Sequence, residues 1–164
     1  MLHIGFVEPR IAGNTGATIR TAAAVGATLH LVEPLGFEMT EPRLRRAGLD
    51  YHDLAHVVVH PRFDALVAAL PGSRFVAFTA HATRRHTDVD WQDGDVLLFG
   101  PEPTGLDEAV LAHPRVTGCV RIPMLPGRRS IISRSKRVAC SGPQPNSSTS
   151  PGSSRGARGP ACTS

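Results

Sequence analysis

The chain has 164 residues, 41% of them hydrophobic and 5% aromatic, which suits one α/β domain with an aliphatic core. No apolar run reaches the ~18 residues of a membrane span, Met1–Val7 lacks the marks of a signal peptide, and three scattered cysteines make neither a disulfide framework nor a zinc site, so a cytoplasmic protein is expected. The formal net charge of +4 belongs to one end: residues 128–164 hold seven basic side chains and no acid, while residues 1–127 hold 11 basic and 14 acidic ones. Any contact with nucleic acid must therefore come from a local patch, not from the total charge.

In chain order, apolar runs predict strands at Leu2–Val7, Thr28–Val32, His56–Val59, Phe75–Thr79, Val96–Phe99 and Cys119–Ile122. Several of them are nearly continuous, as in strands covered on both faces. Between them, Thr15–Gly26 carries Ile19, Ala22, Ala23 and Gly26 on one helical stripe. Pro61–Leu70 forms a second helix with Phe63, Leu66, Val67 and Leu70 on one face, and Asp107–His113 a third, stopped by Pro114. This alternation predicts a mostly parallel sheet with helices on both faces. His3, His30 and His60 read as strand-end side chains. From Ser133 onward the chain is Ser, Pro, Gly and Arg with almost no aliphatics, so it reads as disordered. The expected division is a folded domain at 1–130 and a low-complexity tail at 131–164.

Four segments carry candidate chemistry. Glu8-Pro9-Arg10-Ile11-Ala12-Gly13-Asn14-Thr15-Gly16 leads from a strand into a helix. Asn14 or Thr15 can cap that helix, its free N–H groups favour an anion, and Arg20 lies one turn in. Pro42–His52 holds Arg43, Arg45 and Arg46 beside Tyr51, the sole tyrosine, a set able to clamp phosphates and stack on bases. Leu97–Leu106 runs a buried strand into a Gly/Pro turn with one carboxylate, Glu102. Ligands bind at such strand ends in open α/β sheets. Val120–Gly127 passes from a strand into a rigid loop containing Met124. Each segment alone also fits a bland account: a capped helix with a surface ion pair, a solvated basic face, a tight turn, a methionine filling a gap.

Together, Asn14-Thr15-Gly16 with Arg20, Arg43–His52, Phe99-Gly100-Pro101-Glu102 with Gly105-Leu106, and Arg121-Ile122-Pro123-Met124 resemble the motifs of the SPOUT superfamily, in particular its tRNA wobble-nucleotide 2′-O-ribose methyltransferases. The resemblance covers about residues 1–130. It implies a trefoil-knotted α/β fold, S-adenosylmethionine as methyl donor, tRNA as substrate, no metal, and a homodimer with the site at its interface. It places the donor against Phe78, Gly100, Glu102, Ile122, Met124 and Ser130, and RNA against Asn14, Arg20, Arg43, Arg45 and Arg46. Arg20 is the expected catalytic residue. Because a guanidinium stays protonated, its role is to position phosphate and hydroxyl and to stabilise developing alkoxide, while substrate phosphate or water accepts the proton.

Two departures qualify the resemblance. Pro103-Thr104 stands where many relatives carry Thr-Arg, so an RNA contact from that arginine is absent. After Arg129-Ser130 the family continues with an Asn-rich turn and a long amphipathic helix that closes the knot and packs the dimer. Here the Ser/Pro/Arg tail begins instead, inside a motif, and it contains Lys136, the chain's only lysine. That pattern is what out-of-frame reading of a GC-rich gene produces, and it leaves the knot incomplete. Two other functional readings stay open: a SPOUT 2′-O-methyltransferase for another tRNA or rRNA site, and an inactive remnant with residual RNA binding.

Overall fold

The computed structural model describes residues 1–39 and 56–124. The described elements are β1 (His3–Val7), α1 (Ala12–Val25), β2 (Thr28–Val32), β3 (Val57–His60), α2 (Phe63–Ala69), β4 (Phe75–Phe78), a 3₁₀ turn (His86–Asp88), β5 (Val96–Phe99), α3 (Glu108–Leu111) and β6 (Val116–Val120). The strands form one six-stranded sheet in the order β3-β2-β1-β5-β4-β6, and every pairing in it is parallel. The α/β reading of the sequence holds.

Alternation along each strand assigns the two faces. Leu29 and Leu31 pack with Ile19 and Ala22 of α1, together with Ile4 and Phe6, on one face. Val7, Val32, Phe75, Ala77, Val96 and Leu98 pack with Leu66 of α2 and with Val110 and Leu111 of α3 on the other. Near the β4–β5 end of the sheet, Phe78 stacks on Phe99 at 4.5 Å between ring centroids and on Trp91 at 6.0 Å. Helices thus cover both faces, which is why the strands read as continuous apolar runs.

Several boundaries differ from the sequence expectation for physical reasons. α1 starts at Ala12 rather than Thr15, because neither Asn14 nor Thr15 caps it: Ile11 occupies the N-cap and makes no side-chain cap bond. Its end is set by Gly26, which adopts a left-handed φ of 69°. Pro61 lies outside α2, whose N-cap is Arg62. Asp107 is not within α3 but caps it, accepting from the Val110 N–H at 2.8 Å. β6 begins at Val116, three residues before the apolar run that suggested it, since exposed Thr117 and half-buried Gly118 interrupt that run.

His30 is a second correction, whereas His3 and His60 do lie at strand ends, the first residue of β1 and the last of β3. His30 sits in the middle of β2 and is buried, and its ring joins two others: His3 Nδ1 lies 3.0 Å from His30 Nε2, and His30 Nδ1 lies 2.9 Å from His60 Nε2. The three form one row across β1, β2 and β3. No helix among the described residues is long and apolar enough to cross a membrane. The tail expected at 131–164 lies outside the described residues.

Candidate functional site

The order of the strands fixes where a ligand fits. β1 connects through α1 to β2 on one side, whereas β5, its other neighbour, connects through α3 to β6 on the opposite side. Outgoing chains diverge there, so a crevice opens beyond the carboxyl ends of β1 and β5. A cavity of about 380 Å³ lies against this part of the sheet, with Phe6, Asn14, Phe99, Gly100, Glu102 and Ile122 among its walls. Three of the four segments singled out in the sequence therefore meet in one place.

Glu102 ties them together. Its Oε2 accepts from the Arg10 N–H at 2.8 Å, and its Oε1 from the Ile11 N–H at 3.3 Å and from Asn14 Nδ2 at 3.2 Å. The carboxylate that the sequence assigned to the donor loop thus acts as the cap of α1, contributed from the turn after β5. A negative charge at that point also complements the positive end of the helix. The Arg10 and Ile11 N–H groups at the entry to the helix thus already have an anionic partner. Asn14, expected to face RNA, has its amide engaged by the same carboxylate.

The glycine turn is fixed by close backbone contact. A Cβ on Gly100 would lie 2.2 Å from the Leu106 nitrogen and 2.3 Å from the Gly105 carbonyl carbon, so only glycine lets the turn double back. Gly105, at φ 74°, closes it by donating its N–H to the Pro101 carbonyl at 2.7 Å. Similarly, Gly36 after β2 packs directly on the loop after β1. A Cβ there would meet the Arg10 Cα at 2.7 Å. Glu8, at the exit of β1, is held at φ 48° and pairs with Arg10 at 2.9 Å. The loops around the crevice are thus fixed by backbone contact, as a preformed site requires.

The remaining candidates divide by position. Ile122 lines the cavity, and both Ile122 and Met124 are exposed large apolar side chains at the exit of β6. The Phe78 ring is buried in its aromatic stack, which leaves only its backbone for a ligand. Arg20 is exposed on α1, one turn beyond Ala17, a residue of the cavity wall. Arg43, Arg45, Arg46 and Ser130 lie outside the described residues. Among the described residues no group of three or more His, Cys, Asp or Glu side chains is placed to hold a metal ion.

Known proteins match this arrangement over most of the chain. The chain is 44% identical over 139 residues to the tRNA (cytidine(34)-2′-O)-methyltransferase of Methylovorus glucosotrophus, spanning 84% of this chain and 90% of that protein. It is likewise 44% identical over 131 residues to the Escherichia coli K12 enzyme of the same name, spanning 80% of this chain and 83% of that protein. Among solved structures, one giving insight into 2-OH methylation of C/U34 on tRNA superposes with a TM-score of 0.70 at 45% identity, covering 79% of this chain and 83% of the other. The AdoMet complex of the SpoU methyltransferase AviRb from Streptomyces viridochromogenes superposes with a TM-score of 0.65 at 26% identity, covering 79% of this chain and 53% of that one. Residues 1–133 match the SpoU rRNA methylase family, and the chain is a member of it.

Proposed function

We propose that the chain transfers a methyl group from S-adenosylmethionine to the ribose 2′-OH of the wobble nucleotide, position 34, of tRNA. The observation that carries this reading is the 44% identity to enzymes of that named specificity across more than four-fifths of their length, joined to a crevice built from the matching segments. We infer the companion properties of the family as well: a homodimer, acting in the cytoplasm.

The cavity fits the donor in size and chemistry. Its volume falls in the range of about 300–1,000 Å³ typical of small-molecule sites, and its walls are mostly apolar with polar groups at Asn14, Thr18 and Glu102. Gly100, Ile122, Met124 and the Phe78 backbone would hold the donor, together with Ser130 beyond the described residues. When bound, S-adenosylmethionine supplies an electrophilic methyl on a sulfonium, chemistry that needs no Lewis acid. The chain's own task is alignment and exclusion of water. Arg20 orients phosphate and hydroxyl and stabilises the developing alkoxide, and substrate phosphate or water accepts the proton, since a guanidinium does not.

The test is methyl transfer from labelled donor to unmodified tRNA, with the labelled nucleotide mapped. Label at nucleotide 34 is expected. Label at another tRNA position, or in rRNA, would favour a SPOUT enzyme of different site, and absent transfer with no donor binding by calorimetry would favour an inactive remnant.

A further inference from the structure

A cluster of positive charge lies beside the crevice, joining Arg121 of the last motif to two arginines that no motif included. The segment leaving β4 carries Arg84 and Arg85, and the segment leaving β6 opens with Arg121. The two run side by side. Arg121 donates its N–H to the Arg84 carbonyl at 2.9 Å, and His86 donates its N–H to the Arg121 carbonyl at 3.0 Å, so Arg85 and Arg121 form a parallel bridge. Residues paired in a ladder project to the same face, so these two side chains leave the bridge on one side.

Packing of backbone and rings fastens this bridge, with the Arg84 guanidinium on the Asp88 carbonyl. Trp91 Nε1 donates to the His86 carbonyl at 3.0 Å while its ring stacks on Phe78. Like charges opposite each other in a sheet are destabilising, and this pair has little to offset that. Arg84 Nη2 donates to the Asp88 carbonyl at 2.6 Å, whereas the Asp88 carboxylate is taken by the Arg85 backbone N–H and the Thr87 hydroxyl. Among the described residues neither the Arg85 nor the Arg121 guanidinium joins a salt bridge, and both side chains are exposed. The residue after Arg121 is Ile122, part of the cavity wall, so the charge borders the crevice.

We propose that Arg85 and Arg121, supported by Arg84, form a phosphate-binding surface for the RNA backbone flanking the nucleotide to be methylated. The proposal rests on the methyltransferase reading, which puts an RNA strand at the mouth of this crevice. Planar, permanently charged guanidiniums suit adjacent phosphates, and contacts of this kind position an RNA without reading its sequence.

The experiment compares the full chain with the Arg85→Ala/Arg121→Ala double variant and with Arg85→Glu, measuring equilibrium binding of unmodified tRNA over a range of salt. Arg62→Ala, on the exposed start of α2 with Asp64 at 4.0 Å, is the control for a surface arginine outside the proposed patch. The double variant should lower the slope of log affinity against log salt by about 1 per arginine. Arg85→Glu should weaken binding further at low salt, and donor affinity by calorimetry should not move. The basic segment at 128–164 is common to all the proteins and cancels in the comparison. An unchanged slope, or an equal fall in Arg62→Ala, overturns the proposal. Mapping the methylated nucleotide on the parent keeps the two readings apart: a lowered slope without methylation at nucleotide 34 sinks the activity and leaves an RNA surface, and methylation with an unchanged slope sinks the surface alone.

Discussion

At the scale of single residues, Glu102 shows how sequence and structure divide the work. Its presence in a strand-end turn was legible, but its partners Arg10, Ile11 and Asn14 lie some 90 positions earlier in the chain. No local pattern reveals that a carboxylate will cap a distant helix. By the same token the helix start was placed late, on residues that have the right chemistry but not the role. Glu102→Ala would leave two backbone N–H groups and one side-chain amide without their acceptor. Loss of a helix cap and its bonds costs about 1–2 kcal/mol. Glu102→Gln keeps an acceptor oxygen and should lose less than the alanine variant. Urea unfolding of both variants, with hydrogen exchange at the Arg10 and Ile11 amides, checks this. Equal stability and unaltered exchange in Glu102→Ala would show that the carboxylate does not clamp the helix start.

At the scale of elements, β2 and β5 fall where the apolar runs put them, β1 and β4 differ by one residue at an end, and β3 is shifted by one residue as a whole. These strands are rich in apolar residues because most of them are covered on both faces, and that is a signal a sequence carries. β6 was harder, since Thr117 and Gly118 break its run. The histidine row was not legible at all, because parallel pairing assembles it from three strands. His30 shows the consequence most clearly. Burial, and then the neighbouring His3 and His60 rings, hold its pKa down at about 4 against an ordinary 6.5. Burial also lowers His60, and burial with the nearby N-terminus lowers His3. No carboxylate contributes to any of these shifts. Below pH 6.5 the unfolded chain therefore binds protons that the folded chain refuses. Stability conferred by the neutral row is complete above that pH and is lost as pH falls toward 4. For His30 alone the loss is on the order of 3 kcal/mol. Unfolding midpoints at pH 7.5 and pH 4.5, measured for the parent and for His30→Leu, provide the check. The parent should lose markedly more stability between the two than the variant, and identical losses would show that the row is not what titrates.

At the scale of the whole molecule, the likeness to known proteins covers most of the chain but not all of it. The family match ends at residue 133, and the Escherichia coli relative is matched over 83% of its length by 80% of this chain. Each protein thus has a portion the other does not share. The apolar side chains of Ile122 and Met124 are exposed at the exit of β6, only a few residues before that point. We propose that residues 131–164 replace, through a shift of reading frame, the segment that would complete the donor site and the dimer face. The charge distribution supports this, because an acidic body with local arginine patches suits selective RNA contact, whereas a basic stretch without acids attracts any polyanion. If the dimer contributes to protomer stability, its loss weakens the fold by mass action as well as the site. Restoring the alternative frame after Ser130 should turn a weak, readily dissociating dimer into a tight one. It should also raise donor affinity by at least about tenfold, equivalent to 1.4 kcal/mol. Sedimentation velocity and calorimetric titration with S-adenosylmethionine measure both. A parent chain that already sediments as a tight dimer and binds the donor as tightly as the repaired one would show that the segment after Ser130 is a working part of the protein.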